Sequence, residues 1–175
     1  MKQVFKVVIG VAAALAAVFY IGALFLPERV AASRSIEIAA QPEAVWPFIA
    51  DLNQFNLWSP WSRRDPGMTL TITGPPATVG HGMSWSSEVQ GDGTLTLIEL
   101  QEPNYVVTDL DFGPEGAATA RFEIAPSAGG SSVTWGFESD LEGPMQRWFG
   151  LILPDMIGAD YEEGLANLKA AVEGQ

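Results

Sequence analysis

The sequence has no cysteine, a single histidine and few basic residues. Of its 175 residues, nine are Lys or Arg and 21 are Asp or Glu. The lack of cysteine excludes thiol nucleophiles, disulfides, iron–sulfur clusters and Cys-based zinc sites, and one histidine leaves no His-rich metal centre. The formal net charge of −12 gives no positive surface for a phosphate backbone. We therefore expect no nucleic-acid partner and no metal or other cofactor.

Charge is also absent from 20 consecutive residues, 7–26, near the N-terminus. A helix of this length rises about 30 Å, which is the thickness of the hydrocarbon core of a bilayer. Lys2 and Lys6 precede the run, and basic residues favour the cytoplasmic side of a membrane. We predict that residues 7–26 form a single-pass anchor and that the rest of the chain lies on the extracytoplasmic side.

A cleavable signal peptide is an alternative interpretation of the same segment. Val30 and Ala32 occupy the −3 and −1 positions of a cleavage site before Ser33, and the product would be secreted or periplasmic. The apolar run is longer than the roughly 7 to 15 residues of a typical signal-peptide core, which favours an uncleaved anchor. A helix buried in a soluble core is the least favoured interpretation.

The remaining sequence has the size and composition of one domain. We divide the chain into an anchor with its juxtamembrane segment, residues 1–32, and a globular domain, residues 33–175, which carries six basic and 20 acidic side chains. The high hydrophobic fraction of the chain, 47%, is therefore an average over a segment expected in the membrane and a domain expected in water.

The hydrophobic pattern of this domain predicts an α+β fold. Residues 35–39 alternate as a strand, Pro42 begins a helix that Pro47 bends, and a partly helical aromatic segment follows. Period-2 runs separated by turn residues predict an antiparallel meander, with strands at 68–73, 83–89, 94–100, 105–112, 118–124 and 132–141. Residues 145–172 predict a long helix, which Pro154 and Gly158 are placed to kink or divide.

Several segments resemble one protein family in the same order along the chain. SIEIAAQPEAVWPFIADL at 35–52 and WSPW at 58–61 resemble the start of the SRPBCC superfamily, which includes START, Bet v 1-like and polyketide cyclase/dehydrase-type proteins. GMSWSS at 82–87, GDGTL at 91–95, VTWGF at 133–137 and GLANLK at 164–169 resemble its polyketide cyclase branch. The resemblance covers about residues 34–173 and implies a helix-grip fold, in which a curved antiparallel sheet of about seven strands wraps the C-terminal helix. Such folds hold hydrophobic ligands between sheet and helix.

Aromatic and aliphatic residues on the predicted inner faces are the candidate ligand-binding residues. Ordinary core packing explains any one of them, but as a set, with the small Ala118 and Ala120 among them, they predict an apolar cavity. The candidates are Trp46, Trp58, Trp61, Trp85, Leu110, Phe112, Phe122, Trp135, Phe137, Trp148, Met156 and Tyr161.

The titratable residues give weaker signals. His81 lies between two glycines, which is typical of an exposed turn, although a general base is the alternative. Asp109 and Asp111 alternate with Leu110 and Phe112, so we expect them on the solvent face of their strand rather than as an acid–base pair.

Three functions remain open after these observations. The favoured one is a membrane-tethered, non-catalytic binding or carrier domain for a hydrophobic small molecule or lipid. The second, implied by the resemblance, is a polyketide cyclase or dehydratase, which would need His81, Asp109, Tyr105 or Tyr161 to project into the cavity. The third is an envelope protein-interaction domain without a ligand, marked by an exposed apolar patch.

Overall fold

A long apolar helix precedes the globular part of the molecule. The computed structural model describes residues 2–174, and helix α1 covers Lys2–Ala23. Residues 3–23 are long and apolar enough to cross a membrane, and the apolar window within them is 0% buried. Signal sequences also have these properties. The chain therefore has one N-terminal segment capable of spanning a bilayer.

The predicted sheet is confirmed as a curved, fully antiparallel sheet of seven strands. Its spatial order is β1-β7-β6-β5-β4-β3-β2, so β1 is brought next to the last strand and the others form a meander. The strands are β1 (Arg29–Ile38), β2 (Thr69–Thr73), β3 (Gly82–Ser86), β4 (Gly93–Gln101), β5 (Tyr105–Asp111), β6 (Ala117–Ser127) and β7 (Gly130–Asp140).

The first strand begins earlier than its alternating pattern predicts. All ten residues of β1 pair with β7, from Arg29 opposite Asp140 to Ile38 opposite Ser131. An ion pair of 2.7 Å between Arg29 and Asp140 lies at the end of this ladder. Residues 29–32, which we grouped with the anchor segment, are therefore part of the sheet.

Three short helices connect β1 to β2, and each begins at a residue suited to a helix N-terminus. Helix α2 (Pro42–Ala50) and α4 (Pro60–Arg64) start with proline, which fits the first turn because its missing N–H needs no partner there. Helix α3 (Leu52–Trp58) is capped by Asp51, whose carboxylate accepts a hydrogen bond from the backbone N–H of Asn53.

The C-terminal helical segment is divided into α5 (Gly143–Phe149) and α6 (Leu153–Glu173). Pro154 lies in the first turn of α6, so the division falls at one of the two positions where the sequence predicts a kink. Helix α6 is unbroken at the other, Gly158, where an added Cβ would meet the guanidinium of Arg34. This glycine therefore lets Arg34 cross the helix and pair with Glu162.

Helix α6 packs against the sheet through a second glycine, which gives our first prediction. A Cβ added to Gly164 would lie 2.7 Å from Cζ3 of Trp135, so Gly164→Ala should lower the free energy of unfolding by about 1–3 kcal/mol through overpacking. In an open helix the same change would stabilise the protein. Thermal unfolding of the full chain in a non-ionic detergent, followed by circular dichroism, measures the effect. Gly129→Ala, at a loop position with no atom within 4 Å of the added Cβ, is the control. Equal or higher stability of Gly164→Ala would contradict the packing argument.

Candidate functional site

An apolar cavity of about 220 Å³ lies between the inner face of the sheet and helices α3, α4 and α6. Most of the candidate residues predicted from sequence line it: Trp61, Trp85, Leu110, Phe112, Phe122, Trp135, Phe137 and Tyr161. Strand parity identified the candidates that lie on strands, because residues two apart on a strand, such as Leu110 and Phe112, point to the same face of the sheet.

An aromatic stack forms the inner wall of this cavity and joins α6 to the sheet. The ring of Trp135 lies parallel to that of Tyr161, with centroids 3.8 Å apart, and the ring of Phe122 lies on its other side at 4.6 Å. Phe55 and Trp61 meet the Trp135 ring edge-on, at 6.1 and 5.7 Å. With contacts on both faces and its edges, Trp135 has little freedom to move.

The partly exposed residues of the lining mark its mouth, and most of them lie on β2, β3, β5, α4 and the start of α6. Trp85 and Phe112 stand at this mouth, with ring centroids 5.9 Å apart, and both are partly exposed. Gly93 on the neighbouring strand permits this placement, because a Cβ there would collide with the Trp85 ring. Gln90 donates a hydrogen bond of 3.0 Å to the backbone carbonyl of Trp61 and so links two sides of the mouth.

The lining is almost entirely uncharged and offers few polar groups. Among the described residues that line it, none is Asp, Glu, Lys, Arg or His. The indole Nε1 of Trp135 is buried and has no hydrogen-bond partner within residues 2–174. An unpartnered buried donor costs about 1–3 kcal/mol, and this N–H has almost no surface that solvent or a ligand could reach.

Tyr161 is the one lining residue whose pKa is shifted. Its side chain is buried, and loss of solvent, followed by the neighbouring charge of Asp160, raises the pKa of the phenol far above its ordinary value. The phenol therefore stays protonated and neutral at physiological pH.

The other titratable candidates lie away from the cavity. His81 is not in an exposed turn but fully buried, and this expectation was wrong. Its Nε2 accepts a hydrogen bond from the backbone N–H of Leu52 at 3.0 Å, and Nδ1 lies 3.0 Å from the carbonyl oxygen of Thr73. With Nε2 as an acceptor, Nδ1 carries the proton, and the imidazole joins α3 to the segment between β2 and β3 as a structural residue.

The acidic and phenolic candidates on β5 face outward. Asp109 and Asp111 are exposed, as the strand alternation predicts. Tyr105 donates a hydrogen bond to Glu99 at 2.5 Å and lies under the guanidinium of Arg121. Larger grooves, of about 540 and 510 Å³, cover this outer face, but charged side chains line them and they are open to water, so they do not suit an apolar ligand.

Four predicted ligand-binding residues do not line the cavity. Trp58 lies behind the aromatic stack and donates a hydrogen bond of 2.8 Å to the carbonyl of Phe48. Trp46 is buried in the core on α2. Met156 is 52% exposed, and Trp148 packs against α1, where its Nε1 donates to the carbonyl of Phe19 at 3.0 Å.

The list of candidate residues omits more than half of the lining, although Ala120 and Met83 were expected on the inner faces of their strands. The omitted residues are Phe55, Ser59, Ser62, Met68, Leu70, Met83, Gln90, Leu95, Thr108, Ala120 and Ile157. Strand parity puts Thr108 on the same face as Leu110, as it puts Met83 on the same face as Trp85. Ser59 and Ser62 lie beside Trp61 on the chain, but only the packing of α4 shows that they face inward.

Comparison with known families agrees with this geometry. The model of the family "Polyketide cyclase / dehydrase and lipid transport" matches residues 29–173. The chain belongs to this family. The match starts at the first residue of β1 and ends at the last residue of α6, so it covers the sheet, the cavity and its helices. Family and fold together support a ligand-binding or cyclase-like domain, and the family implies a hydrophobic ligand.

Solved structures share the fold at low sequence identity. A protein of unknown function from Staphylococcus aureus is 12% identical, with a TM-score of 0.66 over 84% of this chain and 95% of that chain. A protein from Chromobacterium violaceum is 18% identical, with a TM-score of 0.59 over 85% of this chain and 99% of that one. No protein among the functionally curated ones matches this chain. These likenesses establish the helix-grip fold. They do not identify a ligand, which has to be inferred from the residues that line the cavity.

The raised pKa of Tyr161 gives our second prediction. In the unfolded chain this phenol ionises near pH 10.0, but in the folded protein burial keeps it protonated. The free energy of unfolding should therefore fall as pH rises above 10, because the unfolded state alone releases this proton. Tyr161→Phe should remove that contribution. Its free energy of unfolding should therefore decline less steeply with pH than that of wild type, by up to about 1.4 kcal/mol per pH unit. Unfolding at pH 8, 10 and 11.5 measures it. Tyr105→Phe is the comparison: the hydrogen bond to Glu99 also raises the pKa of this half-buried phenol, but less than burial raises that of Tyr161, so its profile should flatten less. Parallel pH profiles for wild type and Tyr161→Phe would contradict the burial of a neutral phenol.

Proposed function

We propose that this protein is a membrane-tethered binding or carrier domain for a neutral hydrophobic small molecule or the end of a lipid chain. The observation that carries the proposal is the uncharged, aromatic-lined cavity between the sheet and α6. Apolar lining with a few polar groups is the usual composition of a ligand site. Its affinity would come chiefly from burial of apolar surface, at about 25 cal/mol per Å².

The cavity's size and polarity narrow the ligand class. A volume of about 220 Å³ is below the roughly 300–1,000 Å³ of sites for drug-sized ligands, so it favours one or two rings or part of an acyl chain over a whole lipid. A charged group there would be buried without a partner of opposite charge, which is strongly unfavourable. A neutral aromatic molecule of one or two rings therefore suits the cavity best.

The same lining favours binding over a cyclase-type reaction. Of the four residues that an enzyme was expected to place in the cavity, only Tyr161 lines it. A general acid–base role would fall to this phenol, whose raised pKa makes it a poor base near neutral pH. Retention and release of a ligand require no such group.

The tether is supported by contacts on both sides of the alternative cleavage site at Ala32. Cleavage there would remove residues 29–32 from the β1–β7 ladder, including the buried Val30. It would also remove the partners that α1 offers to Trp148 and Arg147 on α5. An uncleaved α1 keeps these groups paired, which is why we favour the anchor, with Lys2 and Lys6 on the cytoplasmic side and the domain outside.

A cavity-filling substitution tests the proposed binding site. Ala120 lies on the cavity side of β6 and is 3% exposed, so Ala120→Leu would occupy space that a ligand needs. We expect it to weaken binding of 1-acetonaphthone, a neutral aromatic ketone, at least about 10-fold. Quenching of tryptophan fluorescence, measured on the full chain in one detergent, gives the affinities, and circular dichroism verifies that the variant is folded.

A matched variant keeps this test specific. Ala125→Leu makes the same change on the exposed face of the same strand and should leave the affinity unchanged. Equal affinities of wild type and Ala120→Leu would show that the ketone binds elsewhere and would remove the support for the proposal.

A further inference from the structure

The segment formed by α5 and the turn into α6, residues 143–156, exposes an unusual number of large apolar side chains. We call it the elbow. Met145 is 71% exposed, and four others are about half exposed: Phe149, Leu151, Ile152 and Met156. The segment contains only two charged residues, Arg147 and Asp155, in a domain rich in carboxylates. An apolar surface of this kind marks an interaction site on a protein that is otherwise strongly acidic.

Two residues of the elbow fix it against the end of α1. The Trp148 ring lies against Gly22, where an added Cβ would be 2.9 Å from Cζ2, and its Nε1 donates to the Phe19 carbonyl at 3.0 Å. Arg147 donates to the Ala23 carbonyl at 3.3 Å and pairs with Glu28 at 2.8 Å. The only basic side chain of the elbow is therefore paired internally and sits at the negative end of the α1 dipole.

These contacts determine the depth of the elbow relative to a bilayer that α1 spans. The apolar run ends at Leu26, and helix geometry puts Gly22 about 6 Å and Phe19 about 10 Å before that end. Trp148, which contacts both residues, therefore lies about 6–10 Å on the acyl-chain side of the boundary with the headgroups. This is the depth to which interfacial helices bury their apolar faces.

We propose that the elbow inserts into the lipid surface of the same bilayer and holds the domain docked on it, rather than free on a flexible tether. The proposal rests on the membrane tether proposed above. Its partner is the apolar layer just beneath the headgroups of a phospholipid bilayer, entered by side chains of a short helix that lies in the interface. Exposed Leu24 and Phe25, which follow α1, extend the apolar surface on the side of the tether.

Docking in this way would put the bilayer next to the mouth of the cavity. Met156 of the elbow directly precedes Ile157, which lines the cavity. Gln146 donates a hydrogen bond of 3.2 Å to the Glu115 carbonyl, in the loop that follows the mouth residue Phe112. The elbow thus borders the mouth on two sides, and an apolar ligand would pass between bilayer and cavity without crossing bulk water.

The absence of cysteine makes this proposal directly testable, because one introduced thiol carries a fluorescent NBD label at a single site. The full chain is labelled at Met145→Cys or Ile152→Cys in the elbow and reconstituted in phosphatidylcholine vesicles. Val11→Cys, on exposed α1, reports insertion of the tether, and Val79→Cys, on an exposed loop between β2 and β3, is the matched control outside the elbow. Nitroxide-labelled lipids and aqueous iodide are the two quenchers.

We expect the nitroxide lipids to quench the labels at Val11, Met145 and Ile152 several-fold more than the label at Val79, which iodide should quench instead. Quenching of the Val11 label alone by the lipids, with iodide reaching both elbow labels, would overturn docking and leave the tether intact. Protection of the elbow labels from both quenchers would place a protein partner there and would also overturn the proposal. A Val11 label outside the lipid would overturn the tether and the docking together.

Discussion

The stack of Tyr161, Trp135 and Phe122 is the contact on which the rest of the structure depends. It joins α6 to the neighbouring strands β6 and β7, with Trp135 held between the other two rings. Gly164 lets α6 approach that ring closely. Because the stack fixes helix and sheet at one end, the space beyond it is left unfilled and becomes the cavity. The stack thus forms the inner wall of the cavity.

The order of elements follows from local patterns, and these were readable in the sequence. Strand alternation and turn residues predict β2 to β7 within about three residues at each end, because each turn contains glycine or proline that suits its backbone. Pro154 predicts the division of the C-terminal helix, since proline belongs in a first turn. Parity places Leu110 and Phe112 inward and Asp109 and Asp111 outward, as observed. The fold was therefore largely predictable from short-range rules.

The parts that were not predictable depend on contacts between distant segments. His81 is buried because its imidazole binds the Leu52 amide and a carbonyl of the β2 end, and neither partner is recognisable from its neighbouring glycines. Strand β1 begins at Arg29 because β7 is long enough to pair with it. Trp148 has helical spacing that suits the cavity, but α1 occupies its other side. In each case the position of the residue depends on a contact with a segment distant in the sequence, and the local sequence pattern does not identify that segment.

We propose that the space beside the aromatic stack holds a neutral apolar ligand, and native mass spectrometry of the full chain, extracted and released from a mild detergent, would detect it. We expect the chain mass, near 18.8 kDa, together with a second species that carries one small neutral molecule, either retained from the cell or taken up from added 1-acetonaphthone. A folded chain that carries no molecule in either preparation would rule out a ligand in this space.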